Sequence, residues 1–146
     1  MDFYLKNVFN CPTKPKSNSV FVTITVQDSS IMIPTEKDHE SYELVLTDNL
    51  KWAINAKYYA GYVRGLETFS QLFEENNQKE IEKKYTVNGL NMYIVDSPQF
   101  EWRGVMIDSA RHFLPVATIK HTIDGLMFNK MNVLHWHIVD QESFPL

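Results

Sequence analysis

Several features that mark other protein classes are scarce in this chain of 146 residues or absent from it. A single cysteine, Cys11, cannot form an internal disulfide, and the chain has no Asn-x-Ser/Thr site, so neither feature argues for export. No apolar run is long enough to cross a bilayer, and residues 1–12 lack the charged start and apolar core of a signal peptide. A net charge of −4 provides no basic stripe for nucleic acid. We therefore expect neither a membrane-spanning nor a nucleic-acid-binding protein.

The first hundred residues carry the pattern of a small sheet with one helix. Runs of β-branched and apolar residues predict strands at 20–26, 41–46, 50–55 and 90–95. Residues 57–75 place apolar side chains three and four positions apart, which predicts a helix with one buried stripe. The stripe consists of Tyr59, Tyr62, Val63, Leu66, Phe69, Leu72 and Phe73.

Proline positions suggest how the chain divides. Pro12 and Pro15 interrupt any regular element near the start, and an Asp-Ser-Pro sequence ends at Pro98. We expect an irregular segment over 1–17, a small α/β domain over 18–97, and a second domain from 98 to 146. The Asp-Ser-Pro sequence is the predicted linker.

The last third of the chain predicts a strand, a helix and a second strand. Residues 103–107 (RGVMI) are a short apolar run, and 132–139 (NVLHWHIV) are apolar on both alternating faces, as in a strand covered on two sides. Between them, Pro115 suits the first turn of a helix that extends to residue 130. The expected buried face of that helix consists of Ile119, Ile123, Leu126 and Met127. This order predicts a right-handed parallel βαβ unit.

Polar residues follow both strands of the predicted unit. Asp108, Arg111 and His112 come after the first strand, and Asp140 closes the second. In parallel barrels such strand ends carry the working residues. The sequence therefore predicts one wall of a polar pocket. An equally simple alternative is that these side chains cap loops and pair with one another.

A metal site is a second interpretation of this region. His135 and His137 stand two residues apart on a strand and therefore project from one face, and Asp140 could join them around zinc. Such a site needs a third ligand at matching reach, and the strand is otherwise apolar. Hydrogen bonding inside a barrel is the interpretation we favour for both histidines.

Two blocks near the end of the chain resemble family 20 glycoside hydrolases, the β-N-acetylhexosaminidases. They are RG-x-x-x-D-x-x-RHF-x-P from Arg103 and N-x-LHWH-x-x-D-x-x-SFP from Asn132. Upstream, SYELVL at 41–46 and GLETFSQL at 65–72 are similar to the small α/β domain that precedes the barrel in eukaryotic members. The resemblance covers about the last two thirds of the chain.

This resemblance implies a fold of class α/β. We expect a small α+β amino-terminal domain, a sheet backed by a helix, followed by the first β-α-β unit of a (β/α)8 TIM barrel. A complete barrel needs about 250 residues. The barrel is therefore expected to be incomplete, and the chain to be an amino-terminal fragment.

The activity that the resemblance implies is removal of terminal non-reducing N-acetyl-D-hexosamine from glycans with retention of configuration. In the family the 2-acetamido oxygen of the substrate attacks the anomeric carbon, an Asp orients the acetamido group, and the adjacent Glu protonates the leaving oxygen. That Asp-Glu pair follows the fourth barrel strand, and no Asp-Glu dipeptide occurs in these 146 residues. We expect no catalytic residue in this chain and no activity from it alone.

Binding roles do carry over by resemblance. Arg111 matches the family arginine that binds sugar hydroxyls, and Asp140 matches a residue that helps to orient the acid through a histidine. We expect Asp108 to order the loop of Arg111, and His137 to support the site. The family often has a second acidic residue after Asp140, where this chain has Gln141.

The remaining expectations also rest on the resemblance. It implies a glycan or glycoconjugate partner, no cofactor, no metal and no nucleic acid, and it allows a homodimer for the full-length protein. The location it implies is lysosomal or extracellular, although this chain shows no signal peptide. The alternative function is a non-catalytic binding or interaction module, because two strands with one helix leave apolar strand edges exposed.

Overall fold

Two compact units make up the chain, Met1–Gln99 and Phe100–Leu146. The structure, a computed structural model, describes residues 21–30, 33–48, 51–76, 84–87, 89 and 91–144. The segment 1–17, which we predict to be irregular, lies outside the described residues. The domain limits 18–97 and 98–146 stay predictions.

A four-stranded sheet forms the first unit. Its strands are β1 (Phe21–Asp28), β2 (Tyr42–Leu46), β3 (Lys51–Tyr58) and β6 (Met92–Asp96). Their order is β1-β3-β2-β6, in which β1 is parallel to β3 and β2 is antiparallel to both of its neighbours. The four predicted strands are thus present, with their ends shifted by a few residues. A 3-10 helix, Lys37–Glu40, precedes β2.

Helix α1 (Tyr59–Gln71) packs against this sheet and closes the core. Alternate residues of β2 and β3 are buried beneath it, as the two-residue period of a strand requires. Two glycines of the helix allow the close approach: a Cβ on Gly61 would collide with the carbonyl oxygen of Ser41, and one on Gly65 would lie 2.7 Å from Ile54 Cγ2. The buried cluster is Tyr42, Leu44, Leu46, Trp52, Ile54, Ala56, Tyr62, Leu66 and Phe69.

The predicted helix over 57–75 was too long at both ends. Lys57 and Tyr58 complete β3, and Phe73 begins a strand, β4 (Phe73–Asn76), which pairs antiparallel with β5 (Lys84–Val87). Phe73 continues the apolar spacing of α1 and packs against the same core. Periodicity alone therefore gave no sign that the helix had ended.

The linker prediction also needs a correction. Asp96 is the last residue of β6, where it pairs with Tyr42 across the sheet. Its Oδ2 accepts a hydrogen bond of 2.7 Å from the Tyr42 hydroxyl. Asp96 is therefore held by the sheet, and only Ser97 and Pro98 of the Asp-Ser-Pro sequence lie beyond the strand.

No helix in the described residues is long and apolar enough to cross a membrane.

The second unit is a parallel βαβ arrangement, as the sequence predicts. Strand β7 (Gly104–Asp108) pairs with β8 (Val133–His137) in parallel register, from Gly104 with Val133 to Asp108 with His137. Helix α2 (Val116–Phe128) lies between them in sequence, and Pro115 is its N-cap residue. The strands and the helix follow the predicted order: β7 is shifted by one residue, and α2 and β8 are slightly shorter than predicted.

The buried face of α2 is narrower than predicted. Ile119 and Leu126 are buried, together with Ile107 of β7, whereas Ile123 is 48% exposed. Two strands present too little surface to cover a full helical stripe. The prediction that Ile123 is buried was therefore wrong within this unit.

Candidate functional site

The carboxyl ends of β7 and β8 lie side by side and place two loops next to each other. Asp108 and His137 are the last paired residues of the two strands. The loop after β7 contains Arg111, and the segment after β8 contains Asp140. Parallel pairing puts both strand ends at the same edge, and this brings together residues that are far apart in sequence.

Arg111 is held by both carboxylates of this edge. Its Nε donates to Asp140 Oδ2 at 2.7 Å, and its Nη1 lies 3.3 Å from Asp108 Oδ2. The side chain is nevertheless 66% exposed. The three residues are thus brought together as expected, and the pairing alternative also describes their geometry. Because Nε and Nη1 carry the bonds found among the described residues, the N–H groups of Nη2 are left for another acceptor.

Asp108 orders the loop that carries Arg111. Its Oδ1 accepts hydrogen bonds from the backbone N–H groups of Ala110 and Arg111, each at 3.1 Å. Asp side chains commonly stabilise tight turns in this way. One carboxylate therefore contacts both the backbone and the guanidinium of Arg111.

Asp140 lies in a turn of its own. Its backbone N–H donates to the carbonyl of Ser143 at 2.9 Å, and its Oδ1 accepts from the backbone N–H of Gln141. The Gln141 N–H is the main reason that the pKa of the Asp140 carboxyl lies below its ordinary value; Arg111 and His137 lower it further, and partial burial opposes them. Asp140 is therefore ionised at neutral pH and can hold Arg111.

An open cleft of about 470 Å³ lies at this edge of the second unit. Its lining residues are Ala110, Arg111, Asp140, Gln141, Glu142 and Ser143. The predicted rim residue His112 is exposed and does not line the cleft. The lining is mostly polar, which suits a hydroxylated ligand better than an apolar one.

The two histidines of β8 differ in their surroundings. His135 is exposed, whereas His137 has a buried Nε2 with no hydrogen-bond partner among the described residues. No group of three or more His, Cys, Asp or Glu in the described part of the chain could hold a metal ion.

Sequence reasoning missed one polar contact at this edge. The indole Nε1 of Trp136 donates to Ser109 Oγ at 2.9 Å, and Ser109 is buried. Ser109 falls inside the polar loop, where its sequence context gives no sign of burial. The only sequence signal was Trp136 itself, because an indole N–H needs a hydrogen-bond partner when it is covered.

Two family models match the chain. Residues 100–146 match "Glycosyl hydrolase family 20, catalytic domain", and residues 6–72 match "beta-acetyl hexosaminidase like". The chain belongs to glycosyl hydrolase family 20. The part that carries the cleft is the part that matches the family's catalytic domain.

Relatives within family 20 are similar along nearly all of the chain. The beta-hexosaminidase subunit beta of Felis catus is 43% identical over 138 residues, which are 92% of this chain and 25% of that protein. The chain thus spans about a quarter of the length of this curated relative.

Solved family 20 structures share the fold. The chitobiase of Flavobacterium johnsoniae has a TM-score of 0.64 at 38% identity, over 84% of this chain and 17% of that one. The exo beta-N-acetylglucosaminidase of Vibrio harveyi, solved with N-acetylglucosamine, has a TM-score of 0.71 at 25% identity, over 97% and 20%. Both likenesses agree with the family assignment.

Proposed function

We propose that this chain is part of a β-N-acetylhexosaminidase, which removes terminal non-reducing N-acetyl-D-hexosamine from glycans with retention of configuration. In this proposal the second unit is the first βαβ unit of a (β/α)8 barrel. The parallel pairing of β7 with β8 and the catalytic-domain match over residues 100–146 support it. Domain limits near 18–97 and 98–146 belong to the same proposal.

Arg111 is the residue that we propose for sugar binding. The single observation that carries the proposal is the geometry of its guanidinium, which two carboxylates hold while 66% of the side chain stays exposed at an open cleft. A planar guanidinium with fixed donors can bond two neighbouring hydroxyl oxygens at once. Its remaining N–H groups are therefore suited to the hydroxyls of a terminal sugar.

Three neighbours support Arg111 in this proposal. Asp140 aligns the guanidinium from one side, and Asp108 aligns both the guanidinium and its loop. Among the described residues the Nε2 of His137 has no hydrogen-bond partner although it is buried, and buried polar atoms in native proteins are nearly always hydrogen-bonded. We propose that His137 bonds a group outside the described residues and so supports the site.

Chemistry in this proposal is substrate-assisted. The acetamido oxygen attacks the anomeric carbon, while an Asp orients the acetamido group and the Glu beside it protonates the leaving oxygen. These 146 residues contain no Asp-Glu dipeptide, so we expect that they do not hydrolyse a glycoside alone.

Sequencing the transcript on both sides of the coding region tests the enzymatic part of the proposal. We expect an in-frame Asp-Glu pair downstream.

An activity assay tests the chain itself. It uses p-nitrophenyl N-acetyl-β-glucosaminide with the purified 146-residue chain, and we expect no release of p-nitrophenol above the blank. Release by this chain would overturn the claim that its residues bind without reacting.

Sugar binding by Arg111 is tested on the chain itself. We expect N-acetylglucosamine to shift the Arg111 Nε–H and Gln141 N–H signals of the ¹⁵N-labelled chain. Arg111→Lys should weaken this binding about tenfold or more, because an ammonium cannot reproduce the planar donor set. Lys120→Ala, at an exposed position of α2, is the matched loss of a cation and should leave binding unchanged. Equal binding by the wild type and Arg111→Lys would exclude Arg111 as the sugar ligand.

Partner and location follow from the same proposal. We propose a glycan or glycoconjugate that ends in an N-acetylhexosamine as the partner, a lysosomal or extracellular location, and a homodimer for the complete protein. Fractionation of cells that express the endogenous protein, with lysosomal markers as reference, tests the location.

A second function, a non-catalytic interaction module, is favoured by one observation. Met106 of β7 is 58% exposed and Trp136 of β8 is 38% exposed, so apolar surface faces solvent on both strands of this unit. Such surface promotes association. Size-exclusion chromatography with light scattering tests this function: a clean monomer at high concentration would argue against it.

A further inference from the structure

Ser109 is a buried polar residue at the point where β7 passes into the loop of Arg111. The residue is 6% exposed. It lies between Asp108, which accepts the hydrogen bonds of the loop, and Ala110 and Arg111, which donate them. Any movement of Ser109 therefore moves the backbone that carries Arg111.

Two hydrogen bonds attach Ser109 to the neighbouring strand. Its backbone N–H donates to the carbonyl of His137 at 3.2 Å, which extends the β7–β8 ladder by one residue. Its Oγ accepts from Trp136 Nε1 at 2.9 Å. Trp136 pairs with Ile107, two residues before Ser109, so the indole reaches diagonally along one face of the sheet.

The donor and acceptor of the side-chain hydrogen bond cannot be exchanged. An indole N–H can only donate, and the hydroxyl oxygen of Ser109 supplies the lone pair. The bond therefore connects the first residue of the Arg111 loop to the strand that leads into Asp140. Asp140 follows Trp136 by four residues, and its carboxylate holds the guanidinium of Arg111 at 2.7 Å.

We infer that Ser109 and Trp136 are positioning residues that set the distance between Arg111 and Asp140. The two loops of the site are joined at their outer ends by the Arg111–Asp140 ion pair and at their base by the Ser109–Trp136 hydrogen bond. An exposed ion pair alone is weak and mobile. The bond at the base reduces the freedom of the loop, so Arg111 keeps the alignment that sugar binding needs; this use rests on the proposed function.

The experiment follows two side-chain N–H groups by NMR in the ¹⁵N-labelled 146-residue chain. In the wild type, Trp136 Nε1–H should exchange with solvent more slowly than the indole N–H of Trp102, which is 72% exposed. Ser109→Ala and Trp136→Phe should each speed the exchange of Arg111 Nε–H about fivefold to tenfold, the size expected from one lost hydrogen bond. Ser109→Thr retains the hydroxyl and should restore the wild-type rate.

The amides of β7 and β8 report whether each variant stays folded. Faster Arg111 exchange with these amides still protected, and rescue by Ser109→Thr, supports the inference. Unchanged Arg111 exchange in a folded Ser109→Ala or Trp136→Phe overturns it. If both variants lose strand protection, the wild-type chain decides. The inference is then overturned if the indole N–H groups of Trp136 and Trp102 exchange at the same rate, and it is supported if that of Trp136 exchanges more slowly. No sugar is present, so failure here is distinct from failure of the Arg111 binding test.

Discussion

At the scale of single residues, the candidate site is an ionic arrangement with more negative than positive charge. Two carboxylates, Asp108 and Asp140, face the guanidinium of Arg111. Ion pairs this exposed contribute little to stability, typically about 0–1 kcal/mol. Their effect here is on the orientation of Arg111, because each carboxylate contacts a different nitrogen.

The titration of Asp140 gives a prediction at this scale. A folded-state pKa below 3.8 means that its carboxylate stabilises the fold at neutral pH and that this contribution is lost as the pH falls below 3.8. In Arg111→Ala we expect the Asp140 pKa to rise but to stay below 3.8, because the Gln141 N–H still donates. Carbon-detected NMR of the Asp140 carboxyl across about pH 2 to 6 measures both values. A wild-type midpoint at or above 3.8 would contradict the prediction, and Lys120→Ala should not move it.

At the scale of elements, the two helices use glycine differently. Gly61 of α1 meets the Ser41 carbonyl so closely that no side chain fits between them, whereas a Cβ on Gly125 of α2 would have no atom within 4 Å. The first glycine is required by close packing of helix on strand. Gly125 is not required by packing, and its effect is only to lower the helix propensity of α2.

Substitution by alanine at Gly61 and at Gly125 should therefore change stability in opposite directions. Gly61→Ala should destabilise the first unit by about 1–3 kcal/mol through overpacking against backbone. Gly125→Ala should stabilise α2 by up to about 1 kcal/mol through its better helix propensity. Chemical denaturation followed by circular dichroism measures both changes. A neutral Gly61→Ala would mean that α1 can move away from Ser41 without loss.

The same elements show how much of the structure could be predicted from local sequence pattern. The β7-α2-β8 order and the clustering of Asp108, Arg111 and Asp140 followed from spacing, because parallel strands put their carboxyl ends at one edge. The end of α1 could not be predicted, since Phe73 keeps the apolar period while its backbone has already joined β4. Ser109 and Trp136 were missed because their contact depends on a diagonal across two strands.

At the scale of the whole molecule, the two units have unequal cores. Leu44, Leu46 and Ile54 are fully buried in the first unit. In the second unit the described buried hydrophobic residues are Ile107, Ile119 and Leu126, and each is slightly exposed. Less buried apolar area means a smaller driving force for folding.

Amide exchange rates should differ between the two units. We expect the amides of Leu44 and Ile54 to exchange at least about tenfold more slowly than those of Ile107 and His135, because exchange from a strand needs local or global opening. Leu44→Ala should remove about 2–5 kcal/mol of stability from the first unit and speed exchange at Ile54. Native-state exchange by NMR measures both. Equal protection in the two units would show that β7 and β8 are stabilised by more than the described core.

The sequence by itself determined the family and the α/β class of the fold, and it predicted that Asp108, Arg111 and Asp140 lie together, because motif spacing and hydrophobic period are local properties of the chain. Only the tertiary structure decided where α1 ends, that Ile123 is exposed, and that Ser109 joins Trp136 beneath Arg111. These features depend on which surfaces meet across the sheet. Residues distant in sequence supply those surfaces, and local pattern carries no record of them.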